Sequence, residues 1–146
     1  MAHILKAAAL LSILLSAVCA TQITTKARHQ SLKEIISTIR HILENQVHHH
    51  QNHVPEIFED VKDRSDSEVF CKAAQVLELL PFYNNLKELH KLRHNLIHMG
   101  GQITECEVSE LSQVEFKNFL KRLLNFSQKK FRTNGDKNHL TTKSKG

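Results

Sequence analysis

The chain has 146 residues, with 20 Lys and Arg against 15 Asp and Glu, a formal net charge of +5, 11 His and 3 Cys. It is 40% hydrophobic and 5% aromatic, with no Trp, 4 Gly and 2 Pro. That is too few turn-forming and aromatic residues for a β-sandwich or barrel, and too few cysteines for a disulfide miniprotein. One small, basic, all-helical domain remains.

Residues 1–20 read as a secretory signal peptide. Lys6 supplies the positive start, Ala7 to Leu15 is a nearly unbroken apolar run, and Val18-Cys19-Ala20 places small residues at the cleavage positions. The run is far shorter than the roughly 20 apolar residues of a membrane anchor, so a secreted, extracellular protein is expected. Cleavage after Ala20 removes Lys6, His3 and Cys19. Cys71 and Cys106 then remain, and in an oxidising compartment two cysteines most simply form one disulfide. It would close a loop of roughly 35 residues, worth about 3–4 kcal/mol by chain entropy. Two free structural thiols are the alternative.

Four amphipathic segments follow. In the first, from about Thr25 to Val47, the residues Leu32, Ile35, Ile36, Ile39, Ile42, Leu43 and Val47 recur at helical spacing, with Lys33, Glu34, Ser37, Arg40 and Glu44 on the other face. A polar stretch, His48-His49-His50-Gln51-Asn52-His53, leads to Pro55 and to an extended piece near Ile57. The second helix starts after Ser65, which stands at capping-box spacing from Glu68. It buries Val69, Phe70, Ala73, Val76, Leu77 and Leu80 and ends or kinks at Pro81.

The third segment spans about Phe82 to Met99, with Leu86, Leu89, Leu92, Leu96 and Ile97 inward, and stops at Gly100-Gly101. Ile103 to Val108 reads as a short extended piece carrying Cys106. Ser112 and Glu115 have capping-box spacing before the fourth helix, whose inner face is Phe116, Phe119, Leu120, Leu123 and Phe126. Residues 133–146 are polar and basic and read as a disordered tail.

Four single-striped helices can bury their stripes only around a common centre. The first–second and third–fourth connections, roughly 18 and 11 residues, are long enough for the two crossovers of an up-up-down-down bundle. The extended pieces near Ile57 and Val108 can pair where the crossovers pass.

Several runs within these helices resemble the interleukin-4/interleukin-13 cytokines, and interleukin-4 more closely. The first helix carries Leu32-Lys33-Glu34-Ile35-Ile36-Ser37-Thr38-Ile39, similar to that family's Leu-x-Glu-Ile-Ile-x-Thr-Leu. The second carries Phe70-Cys71-Lys72-Ala73-Ala74-Gln75-Val76-Leu77, like Phe-Cys-Arg-Ala-Ala-x-Val-Leu. The fourth carries Asn118-Phe119-Leu120-Lys121-Arg122-Leu123, like Asn-Phe-Leu-Glu-Arg-Leu, and Cys106-Glu107-Val108 stands where the family has Cys-Pro-Val. These matches occur in order across about Leu32 to Phe131.

The resemblance implies a short-chain four-helix bundle cytokine over residues 21–132, with no enzymatic activity and no cofactor. It would bridge an interleukin-4 receptor α-like chain, held by the first and third helices, and a common γ or interleukin-13 receptor α1-like chain, held by the first and fourth. Cys71–Cys106 would be the family disulfide joining the second helix to the segment after the third. The other two disulfides of mammalian interleukin-4 have no cysteines here.

Glu34 matches the family's acidic receptor anchor, with Thr38 beside it; the bland reading is a solvated Glu paired with Thr38 or Arg40. His94 falls where the family has an Arg, with Lys91 and Arg93 adjacent. A His donates fewer hydrogen bonds, so the contact weakens unless Arg93 substitutes, and a solvated basic face is the alternative. Phe131 stands near the family's aromatic contact for the second chain, or else caps the base of the core. Asn125-Phe126-Ser127 is an N-glycosylation sequon.

A competing reading is a secreted metal- or glycosaminoglycan-binding helical protein. His48, His49, His50 and His53 suit Zn²⁺ or Cu²⁺ but lack a Cys or acidic ligand at closed-site spacing, so a solvated crossover loop is expected and no metal site is assigned. The basic C-terminal run, Lys129, Lys130, Arg132, Lys137, Lys143 and Lys145, suits heparan sulfate. Nucleic-acid binding and membrane insertion are not expected, and the chain is read as a monomer. No nucleophile elbow, P-loop, His-Glu-x-x-His or paired Cys-x-x-Cys motif appears.

Overall fold

The computed structural model describes residues 25–59, 61–101 and 105–144, and side chains as far as residue 133. The signal-peptide reading of 1–20 and the expectation for Ile103 lie outside the described residues. Helix α1 occupies residues 25–45. Its inner face is Ser31, Leu32, Ile35, Thr38, Ile39 and Ile42, all buried, at the three- and four-residue spacings of one helical stripe. The stripe ends sooner than the sequence pattern suggests. Val47 sits in a 3-10 turn, Val47–His49, and is 62% exposed.

Strand β1 (His53–Pro55) pairs antiparallel with β2 (Gln113–Glu115), with Val54 opposite Val114. The extended pieces were expected near Ile57 and Val108. The ladder forms instead around Val54, which is 1% exposed, and the Ser112 carbonyl extends it by accepting the Glu56 N–H at 2.9 Å. Pro55 is tolerated because a two-stranded sheet has only edges.

Helix α2 (Asp66–Glu78) is capped by Ser65, whose side chain accepts the Glu68 N–H at 3.2 Å. The reciprocal half of the box is absent, because the Glu68 carboxylate holds Arg64 at 2.8 Å and Lys72 at 3.7 Å. Ser65→Ala should therefore cost about 1 kcal/mol, read as a lower urea midpoint at unchanged slope. Loss under 0.3 kcal/mol, a threshold set by roughly the precision of such measurements, would show the cap to be idle.

Helix α3 (Lys87–Gly100) begins later than expected, after a 3-10 turn at Tyr83–Asn85. Asn84 and Asn85 compete with helix by bonding locally, which favours a turn there. Ile97, expected inward, is 46% exposed, and Asn95 and Met99 take the inner places. The Asn95 amide is satisfied by donating to the Lys91 carbonyl at 3.1 Å. The helix stops at Gly101, whose φ of 63° suits a residue without a Cβ.

Helix α4 (Phe116–Ser144) follows β2 directly. The Ser112–Glu115 capping box does not form, because Glu115 is spent on the sheet. Carbonyls of the first crossover replace it: Phe116 N–H donates to Asn52 at 2.6 Å and Lys117 N–H to His50 at 3.2 Å. Two of the donors every helix start leaves open are thus filled. At its other end the backbone stays helical to Ser144, into the stretch expected as a disordered tail. No proline lies beyond Pro81 to stop it, and extending a formed helix adds a hydrogen bond per residue without a new nucleus.

Four inter-helix contacts fix the arrangement. His29 near the start of α1 stacks on Phe131 of α4, and His41 near its end meets Glu88 at the start of α3 at 3.6 Å. Asp66 at the start of α2 pairs with Lys130 of α4 at 2.9 Å, and Glu78 at its end pairs with Arg93 of α3. So α1 neighbours α3 and α4, and so does α2. Each of these pairs is antiparallel, which makes the bundle up-up-down-down. The centre holds Phe70, Phe116 and Phe119, each 0% exposed, with Phe70 edge-on to Phe126 at 5.2 Å. Cys71 and Cys106 form the expected disulfide, with Cα atoms 6.3 Å apart.

Candidate functional site

Helix α1 presents two edges beside its buried stripe. Glu34, Thr38 and His41 lie along the first, at positions i, i+4 and i+7. That edge adjoins α3 through the His41–Glu88 contact. Glu34 is partly exposed and receives only the Gln30 amide, at 3.5 Å; among the described residues it makes no ion pair. Neither Thr38 nor Arg40 engages it. Thr38 is 5% exposed, so it supports this edge from beneath and offers a partner almost no surface.

On α3, Lys91 and His94 are exposed, with Lys91 one turn beyond Glu88 on the same side. Arg93 points elsewhere. Its guanidinium pairs with Glu78 of α2, and its Nε is buried without a partner. Arg93 therefore ties α3 to α2 and does not stand in for the missing Arg at His94.

The second edge of α1 borders α4 across an open groove of about 630 Å³. Ile36 and Phe131 line it, with Lys33, Arg40, Glu44 and Arg132 around them, and His41 at the end of the first edge reaches it too. The stripe reading assigned Ile36 to the core, whereas it is partly exposed. Phe131 combines both of its alternatives: it packs partly against the core, stacks on His29 at 4.4 Å and keeps a face on the groove. The sequence pattern reads Lys33 and Arg40 only as the outer face of the first helix and Arg132 only as part of the basic C-terminal run. The signal for the groove is Lys33, Ser37, Arg40 and Glu44 at helical spacing on the side away from Glu34.

A family model described as Interleukin 4 matches residues 27–132, which is most of the chain and all four helices' packed portions. The chain belongs to the interleukin-4 family. Interleukin-4 of the cat is 32% identical over 105 residues, covering 70% of this chain and 77% of that protein. Interleukin-4 of the dog is 35% identical over 79 residues, covering 53% and 58%, and that of the giant panda 31% over 102 residues, covering 69% and 76%. The chain is thus a four-helix cytokine.

The crossover histidines have structural neighbours in this interleukin-4 family member. His49 stacks on Phe82 at 3.8 Å, with His48 3.9 Å away. His50 is buried, and its Nε2 has no hydrogen-bond partner. His53 lies in β1 opposite Glu115. Among the described residues no three His, Cys, Asp or Glu side chains gather as a metal site would require.

Burial, and then the positive charges of His48 and His50, hold the His49 pKa below 6.5. The unfolded chain therefore binds a proton at His49 before the folded one does. That contribution to stability is full above pH 6.5 and declines as pH falls toward the lower folded value. His49→Gln should flatten the pH dependence of the urea midpoint just below pH 6.5. An unchanged profile would count against it.

Proposed function

We propose that the chain is a secreted cytokine that triggers signalling in immune cells by holding two receptor chains together. An interleukin-4 receptor α-like chain docks on the α1–α3 edge, with Glu34 as anchor, Lys91 and His94 alongside and Thr38 beneath. A common γ or interleukin-13 receptor α1-like chain docks on the α1–α4 groove around Phe131 and Ile36. The observation that carries this reading is that α1 lends a different edge to each neighbour, so both chains can be bound at once. Among the described residues no helix is long and apolar enough to cross a membrane, which fits a diffusible ligand.

Phe131→Asp should lower recruitment of the second chain at least tenfold, about 1.4 kcal/mol, and leave α-chain binding within twofold. Surface plasmon resonance with purified ectodomains, the α chain first and the second chain added, reads both numbers. Undiminished recruitment would remove Phe131 from the second site. Wild-type protein that binds neither chain would remove the function.

A further inference from the structure

The solvent face of α4 is largely free of the bundle and of both proposed receptor edges; only Arg132, at its far end, also borders the α1–α4 groove, and Arg122 is tied to the crossover. Lys117, Lys121, Asn125 and Lys129 run along it at four-residue intervals, with Arg122 and Arg132 beside them, and all six are exposed. From Phe116 through Gly135 the helix carries no acidic residue. Arg122 is matched by Glu56 of the crossover at 2.6 Å, and Glu59 borders the hollow beside Asn125. Among the described residues Lys117, Lys121, Lys129 and Arg132 make no ion pair. Lys130, by contrast, is occupied by Asp66 and by the Phe126 ring. The cations therefore form a straight file about 22 Å long, from a rise of about 1.5 Å per residue.

We propose that this face of α4 binds a linear sulfated polysaccharide, and that an N-glycan on Asn125 closes it. The proposal centres the polyanion on a rigid helix face, which shares Lys129 and Arg132 with the C-terminal run that the sequence pattern suggested. A straight file of cations fits a chain of regularly spaced sulfates. A lipid surface fits it less well, because interfacial binding needs an apolar face to insert. Among the described residues the exposed large hydrophobics, Val47, Leu79, Ile97 and Leu111, all lie off α4.

Asn125 stands in the middle of the file, where an attached oligosaccharide would separate Lys121 from Lys129. The third residue of the sequon, Ser127, is 0% exposed, and its Oγ is buried without a partner. A transferase cannot read that hydroxyl in the folded bundle, so attachment precedes the packing of α4. In that step a bond forms between Asn125 Nδ2 and the anomeric carbon of a lipid-linked oligosaccharide. The bond from that carbon to the lipid diphosphate breaks, the diphosphate leaves, and the amide proton passes to the transferase's base. Occupancy is thus settled once, during synthesis, and divides the secreted protein into a freely diffusing form and a matrix-retained form. This rests on the chain being secreted and does not depend on which receptor it uses.

The test uses the full chain secreted from glycosylating cells and eluted from heparin–agarose by a salt gradient. Asn125→Gln should elute at clearly higher salt than the glycosylated wild type. Adding Lys121→Glu and Lys129→Glu should return it to near-physiological salt, while Lys137→Ala, Lys143→Ala and Lys145→Ala should leave its elution in place. Vesicles of anionic phospholipid should not retain Asn125→Gln. Unchanged melting temperatures and α-chain binding exclude misfolding and keep the receptor reading separate. The proposal is overturned by equal elution of the glycosylated and Asn125→Gln proteins, by a wild type secreted without glycan, by retention that follows the three distal lysines, or by retention on the vesicles.

Discussion

Glu34→Lys is expected to weaken binding to an interleukin-4 receptor α-like ectodomain by about a hundredfold or more, with no loss of fold. A charge desolvated at the centre of an interface is the kind of contact whose removal costs 2 kcal/mol or more, as a rough rule, and reversing its sign adds repulsion against the donors that met it. Glu34 is placed for this role. It is partly exposed, lies on the α1–α3 edge, and among the described residues is held only by Gln30. A carboxylate already locked in an ion pair would have to surrender that pair before meeting a partner, and Glu34 has none to surrender among the described residues. For the same reason the substitution should shift the urea midpoint little, within about 0.5 kcal/mol. Lys33→Glu, next in sequence but lining the α4 groove, should leave α-chain binding within twofold. Isothermal titration with the purified ectodomain separates these outcomes. Equal affinity for wild type and Glu34→Lys would show that the anchor lies elsewhere.

The largest expected effect on stability comes from replacing both Cys71 and Cys106 by Ala. The bridge spans 35 residues, and the unfolded chain without it regains about 3–4 kcal/mol of conformational freedom. Cys71 is buried on α2, while residues 105–110 form neither helix nor strand. The bridge is therefore the covalent tie between an irregular segment and the core, helped by partial packing of Val108. For a domain whose net stability is about 5–15 kcal/mol, that is a large fraction. Urea unfolding should show a loss near this size. A loss under about 1 kcal/mol, well below the chain-entropy value, would mean that packing of Val108 and the β1–β2 pairing hold the segment without the bridge.

The helices were legible because each depends on local pattern, and the disulfide because removal of residues 1–20 leaves just two cysteines. Stripes at three- and four-residue spacing located all four helices, Ser65 marked the start of α2, and Gly101 marked the end of α3. The departures arise where tertiary partners outweigh local signals. Ser112 and Glu115 spell a capping box, yet β1 claims that segment for a ladder, and backbone carbonyls cap α4 in its place. Ile97 was expected inward, yet Asn95 takes an inner place, its amide donating to the Lys91 carbonyl. The candidate site divides the same way. Glu34, Lys91, His94 and Phe131 reach the surface, and Asn125 does as well. Thr38 shares Glu34's edge but is tilted toward the core, and Arg93 is drawn off by Glu78, a partner on another helix that no spacing rule reveals. The α1–α4 groove was missed because a groove belongs to two helices at once.

The start of α4 is held by main-chain oxygens of Asn52 and His50. Any residue at positions 50 and 52 supplies such an oxygen, so substitutions there leave the restraint on α4 intact. A change in length between α1 and β1 does not, because it moves the carbonyls out of reach of Phe116 and Lys117. The segment from α1 to β1 can thus vary in spelling while its residue count stays fixed. Within this family, insertions and deletions should be accommodated after β1 or in the second crossover, ahead of β2.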